Sequence, residues 1–162
     1  MATKFKGPHV ADPEEQELLE ARRAWSEAFK QRELETRPAL EDMVMHGVLE
    51  ALGNACAPFS EIWSSADYWM FGGAKDKIVW LDEKKTQFMS QHEVTLTKQQ
   101  IESALQTLES RGLVKLDAEW KNPVYWITFD GKDRREELTR AMHARMGGIR
   151  RELEAKGLKY EF

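Results

Sequence analysis

Cysteine is nearly absent: Cys56 is the single one in 162 residues. That excludes an internal disulfide and any multi-cysteine zinc site. So little thiol chemistry points to a reducing compartment, and the expected location is the cytoplasm. Long apolar runs are missing as well. No stretch of eighteen consecutive apolar residues occurs, which excludes a membrane-spanning helix, and Met1–Val10 lacks the apolar segment of a secretory leader. Cationic excess is absent too. Lys plus Arg total 24 against 28 for Asp plus Glu, a net charge of −4, so a general nucleic-acid coat is disfavoured.

Signatures of chemistry are equally scarce. His9, His46, His92 and His143 are scattered without metal-site spacing, so no metal is expected. Gly72-Gly73-Ala74-Lys75 is too short for a phosphate loop and reads as a turn. A Gly-x-Ser-x-Gly elbow does not occur. His46 and Glu50, one helical turn apart, read as a surface pair. No catalytic residue, enzyme activity or cofactor is therefore expected.

What remains is a soluble, globular balance, with 41% hydrophobic and 32% charged residues. A chain of this length buries roughly two-thirds of its unfolded surface, enough for a full core. Charge is unevenly spread. Residues 1–89 carry 11 basic and 16 acidic side chains, and residues 90–162 carry 13 and 12. The C-terminal half can therefore hold a local nucleic-acid face; an ordinary solvated surface explains the difference equally well.

Along the chain, residues 1–11 lack periodicity and read as a flexible arm. Asp12-Pro13-Glu14-Glu15 then starts a helix over residues 12–37, with Asp12 as cap and Pro13 at the first position. Pro38 stops it. A second helix runs from about Ala39 to Leu52, with Gly53 as its end, and a short third one from Pro58 to Ala66, turning Ile62 and Trp63 inward. Residues 67–94 resist ordering. Tyr68-Trp69-Met70-Phe71 is an apolar cluster, Ile78–Leu81 is a buried strand or a helix entry, and Asp82 can cap a helix containing Phe88 and Met89.

From Thr95 the signals sharpen. Thr97-Lys98-Gln99-Gln100 has capping-box spacing, and Ile101, Ala104, Leu105 and Leu108 form the inner face of the helix that follows. Gly112 ends it. Leu113–Leu116 and Val124–Phe129 read as two strands of a hairpin around a polar tip, closed by Asp130-Gly131. The last helix runs from about Asp133 to Lys156. Gly147-Gly148 marks a kink in it or a close helix–helix approach.

Three segments together resemble a winged helix-turn-helix domain of the MarR-like and PadR-like regulators. They are Leu96–Ile101 with Ala104-Leu105, Leu108-Glu109 with Arg111-Gly112-Leu113-Val114, and Val124–Gly131. The Leu-Glu-x-x-Gly-Leu-Val ending and the Thr-x-x-Gly signature before a long helix carry the likeness, which covers about 45 residues near positions 95–140. It implies a mainly α fold with a small β-hairpin wing, residues 38–132 as the winged-helix domain, and flanking N- and C-terminal helices, the latter over residues 133–162. The chain departs from the pattern in two ways. The helix that precedes the recognition helix must come from residues 82–94 or from farther upstream, and the upstream alternative would make the intervening residues an insertion. The tip Asp117–Asn122 also carries two carboxylates where a phosphate-seeking wing is basic.

On this reading the chain is a transcriptional regulator and its partner is double-stranded DNA. Burying Ile101, Leu105 and Leu108 turns Gln99, Ser103 and Gln106 outward on one face, where Gln can pair with adenine. Lys98, Lys115 and Lys121 are placed to reach phosphates, and Lys121 and Asn122 at the tip can reach either the backbone or the minor groove. The apolar side of the last helix, Leu138, Met142, Ile149 and Leu153, packs either on the chain's own first helix through Trp25 and Phe29 or on a second subunit. As a homodimer the chain would set two reading helices about one DNA turn apart. Trp63, Tyr68 and Trp69 are core, or line an effector site. The alternative partner is a host protein, bound by a winged-helix adaptor or inhibitor through an acidic or aromatic surface that includes Trp120.

Overall fold

The computed structural model describes residues 12–70, 79–90 and 96–158. The expected arm at residues 1–11 and the Gly72–Lys75 turn lie outside the described residues. The protein is mainly helical with small antiparallel sheets. No described helix is long and apolar enough to cross a membrane. The chain divides into two units, Met1–Arg37 with Ala144–Phe162, and Pro38–His143.

The first unit pairs helix α1 (Pro13–Thr36) with the C-terminal part of helix α5 (Phe129–Ala155). Asp12 caps α1 by accepting from the Glu15 amide at 2.8 Å. Trp25, Ile149 and Leu153 are buried together, with Phe29 stacked on Trp25 at 5.0 Å between ring centroids. Arg32 grips Glu152 through two nitrogens, at 2.7 and 3.2 Å. Buried Glu33 accepts from Arg37 at 2.8 Å and from Arg145 at 3.4 Å. Helix α5 stays helical through Gly147-Gly148. Among the described residues a side chain there would meet nothing nearer than Arg151 of the same helix, at 3.6 and 4.0 Å, so of the two expected alternatives, a kink or a close helix–helix approach, the described residues show no close approach.

The second unit holds helices α2 (Leu40–Leu52), α3 (Phe59–Met70) and α4 (Lys98–Ser110) around one core. The apolar stripe of α2 buries Met43, Val44, Val48, Leu49 and Leu52. Gly47 lies where α2 and α3 approach: a Cβ would overlap the Ala66 carbonyl oxygen and sit 2.7 Å from Met70 Cγ. Strands β1 (Cys56–Pro58), β5 (Val114–Asp117) and β6 (Val124–Ile127) form an antiparallel sheet in the order β1-β6-β5. The expected hairpin is thus joined by a third strand that the sequence reading placed in a loop and at a helix start. Its three residues include a proline, which sits at a sheet edge where no amide is needed.

Residues 67–94 are corrected in two places. Helix α3 continues to Met70, absorbing Tyr68 and Trp69, which meet edge to face at 4.9 Å. Phe88 and Met89 are not helical but lie in strand β3 (Gln87–Ser90), paired on one side with β2 (Val79–Leu81) and on the other with β4 (Leu96–Thr97). Asp82 does cap, but it caps a turn. Its carboxylate accepts from the Thr86 amide and hydroxyl at 2.7 and 2.8 Å and from the Gln87 amide at 3.3 Å.

The last helix also starts earlier than expected. Val124–Phe129 is strand only to Ile127; Phe129, Asp130 and Gly131 already belong to α5. Thr128 explains this. Its hydroxyl accepts from the Gly131 amide at 3.0 Å, as a helix cap does, and donates to the Gly112 carbonyl at 2.7 Å. A Cβ on Gly131 would overlap the Leu113 carbonyl oxygen. The Thr-x-x-Gly spacing is therefore a joint that ties the start of α5 to the turn after α4.

Candidate nucleic-acid interface

Helix α4 is fixed at both ends and along one side. Thr97 Oγ1 accepts from the Gln100 amide at 3.2 Å, and the Gln100 side chain accepts from the Thr97 amide at 2.8 Å, a reciprocal cap. Gly112, at φ +73°, turns the chain back so that the Leu113 amide donates to the Leu108 carbonyl at 2.9 Å. Ile101, Ala104, Leu105 and Leu108 are buried. Apolar burial of this kind fixes the rotation of the helix, since each of the larger side chains is worth roughly 2–5 kcal/mol in a core.

With that side committed, the opposite face is exposed, and it carries Gln99, Ser103 and Gln106. Gln99 and Ser103 line a groove of about 690 Å³ between α4 and the start of α2, together with Glu41, Asp42, Thr107 and Arg111. Gln106 does not line the groove. The sequence reading missed Thr107 and Arg111, which follow Gln99 and Ser103 at steps of four along the helix. That spacing was the available signal. Trp63, expected as core or as effector lining, is buried; neither it nor Tyr68 or Trp69 lines this groove.

The expected phosphate contacts fall in separate places. Lys98 is exposed, with its ammonium 4.8 Å from the centre of the Trp63 ring, a cation–π contact that seats it at the start of α4. Lys115 is exposed in β5, opposite Trp126 of β6. Lys121 and Asn122 are exposed in the turn between those strands. At the same tip Asp117 accepts from the Trp120 indole at 2.9 Å and from the Glu119 amide at 3.1 Å, yet Trp120 is still 59% exposed. The flank of α4 that faces β6 is acidic. Burial pushes the Tyr125 hydroxyl above its ordinary pKa, and the negative charges of Glu109 and Glu102 add to the shift.

The residues expected at a subunit interface fall in both units. Trp25, Ile149 and Leu153 form the core of the first unit, with Phe29 against them. Leu138 packs on the core of the second unit, and Met142 is half-buried. On α1 the exposed apolar side chains are instead Leu18, Leu19 and Leu34.

His46 and Glu50 are not a surface pair. His46 is buried and its Nε2 lies 3.2 Å from the Thr139 hydroxyl and 3.4 Å from Glu50. Thr139 also donates to Glu50. The His46 hydrogen bond holds the Glu50 carboxyl below its ordinary value; burial opposes this, and Thr139 and the charge of Arg135 reinforce it. Thr139 and Arg135 lie on α5, and Arg135 donates to the Gly53 carbonyl and the Asn54 side chain. The cluster fastens α2 to the first half of α5. Among the described residues no group of His, Cys, Asp or Glu is placed to hold a metal ion.

No family model and no curated protein matches the chain. One solved structure to which it is similar is that of Bordetella bronchiseptica BpsR, whose DNA binding is regulated by 6-hydroxynicotinic acid. The identity is 13%, the match covers 88% of this chain and 84% of that one, and the TM-score is 0.45. A likeness at this level assigns neither a family nor an activity.

Proposed function

We propose that the chain is a winged-helix transcriptional regulator that reads duplex DNA with α4. In this reading α2, α3 and α4 are the three helices of the domain, β5 and β6 are its wing, and residues 71–97 are an insertion between the last two helices. The observation that carries it is the polar face of α4, rigidly held by a reciprocal cap and a buried inner side yet left open to solvent. Gln99 and Gln106 would pair with base edges, Ser103 with a base or a phosphate, and Lys98, Lys115, Lys121 and Asn122 with the backbone. The active form would be a cytoplasmic homodimer assembled through α1 and α5. Binding of a randomised duplex library, followed by fluorescence anisotropy across a salt series, tests the reading. Affinity should rise steeply as salt falls, and Gln99→Ala should relax the sequence selected, by about 1–3 kcal/mol per lost bidentate contact. Binding that stays flat as salt is lowered would defeat it.

Two observations favour a second reading, a winged helix that binds protein. Glu102 and Glu109 flank the α4 face, and Glu41 and Asp42 line the groove beside it. Trp120, Trp126 and Phe129 are also exposed, Phe129 to 84%. Such side chains anchor protein interfaces. Recovery of nucleic acid alone on the immobilised chain would argue against it.

A further inference from the structure

The insertion ahead of α4 is not an inert loop. Strand β4 ends at Thr97, the cap of α4, and pairs with β3 in the register Gln87 opposite Thr97 and Phe88 opposite Leu96. Beyond the Gln87–Thr97 pair, one strand runs into the turn 82–86 and the other into α4. Turn and helix therefore leave the sheet at the same end, and the turn lies beside the first turn of α4. The position is held by packing. Phe88 meets the buried Trp63 edge to face at 4.2 Å, the Trp63 indole donates to the Leu96 carbonyl at 3.2 Å, and Lys98 sits over the same ring. A single indole thus joins α3, the inserted hairpin and the start of α4.

The turn has a defined charge layout. Asp82 spends its acceptors inside the turn, on Thr86 and Gln87. Glu83, Lys84 and Lys85 are exposed, and Lys85 holds a left-handed backbone at φ 56°. With Asp82 and Glu83 against Lys84 and Lys85 the turn is formally neutral, whereas the β5–β6 tip, with Asp117 and Glu119 against Lys121, carries a net negative charge. Of the two described hairpin tips, the inserted one presents two adjacent exposed lysines, where the β5–β6 tip presents one lysine and Asn122. A helix that enters a major groove does so with its N-terminal residues. The register sets the inserted hairpin beside those residues of α4.

We infer that the inserted hairpin is a second wing, with Lys84 and Lys85 bonding to duplex DNA phosphates beside the site where α4 enters, and Lys98 completing the row. This rests on the DNA-binding reading and adds contacts to it. Glu83 is exposed in the same turn, and its negative charge weakens the contact, which provides a control in the opposite direction.

The test uses the full chain and a fluorescent mixed-sequence duplex, with anisotropy titrations across salt. The double variant Lys84→Gln/Lys85→Asn removes both charges, and Asn tolerates the left-handed position. Each lost phosphate contact should lower the slope of log K against log salt by about 0.9, so the double variant should lose about 1.8. The affinity advantage of the wild type should then shrink by about tenfold between about 50 and 200 mM salt. Glu83→Lys should instead steepen the slope, by up to about 0.9, and a damaged fold cannot produce that gain. Wild-type binding with a slope unmoved by either variant would overturn the second wing alone. A wild type that shows no salt-dependent duplex binding would overturn both readings.

Discussion

The same substitution should have opposite effects at two glycines of one helix. Gly131 and Gly148 both lie in α5. A methyl group on Gly131 would overlap the Leu113 carbonyl oxygen and sit 2.8 Å from Ile127 Cγ1. Backbone cannot rotate away as a side chain can, so the start of α5 must move from the turn after α4. Thr128 bonds to both sides of that joint, at 2.7 and 3.0 Å, and resists the movement. Overpacking of this kind costs about 1–3 kcal/mol, against a helix-propensity gain of about 1 kcal/mol that is smaller still in a first turn. Gly131→Ala should therefore destabilise, by about 0.5–2.5 kcal/mol once a first-turn gain of about 0.5 kcal/mol is subtracted. At Gly148 the nearest atom that an added methyl would meet among the described residues, outside the helix's own backbone, is an Arg151 nitrogen 4.0 Å away. There the gain is unopposed, and Gly148→Ala should stabilise by about 0.4–1 kcal/mol. Urea denaturation followed by circular dichroism at the helix band measures both. If the two units melt separately, each variant is read at its own unit's transition. A Gly131→Ala protein as stable as the wild type would refute the account of the Thr128–Gly131 joint.

Other expectations follow from particular contacts. Thr97→Ala removes the cap of α4 and should cost about 1 kcal/mol in the same denaturation experiment. Leu105→Ala opens the core beneath the reading face and should cost about 2–5 kcal/mol. Because Glu50 is held below its ordinary value of 4.5, its contribution to stability is complete above that pH. It is lost as pH falls through the lower folded-state value, and Glu50→Gln should flatten this part of the acid limb of a stability–pH curve. Replacing Glu102 and Glu109 by Gln should lower the titration midpoint of Tyr125, read by its ultraviolet absorption; an unchanged midpoint would place the two carboxylates away from the hydroxyl.

Helix α4 and its cap could be read from residues 97–112 because every determinant is local. The capping partners are three residues apart, the buried side repeats at helical spacing, and the terminating glycine follows directly. Its exposed face was legible for the same reason. Strand β3 was misread as helix because Phe88 and Met89 carry no local preference strong enough to decide; pairing with β2 and β4 decides it. Strand β1 escaped notice because three residues cannot show alternation, and its pairing partner β6 lies far along the chain. Phe129 was taken for strand because it continues an aromatic run, whereas the Thr128 cap, completed by Gly112 from the turn after α4, already starts the helix there.

The amino-acid order alone determined the caps, the periodic helices and the polar character of the α4 face, since those depend on neighbours within about one helical turn. Folding in three dimensions decided which distant pieces meet. It brought His46 and Glu50 under Thr139, buried Trp25 against Ile149 and Leu153, and set the Asp82 turn beside Lys98. Each of these juxtapositions depends on strand pairing or burial between segments far apart in the chain, and no local pattern of residues encodes such a meeting.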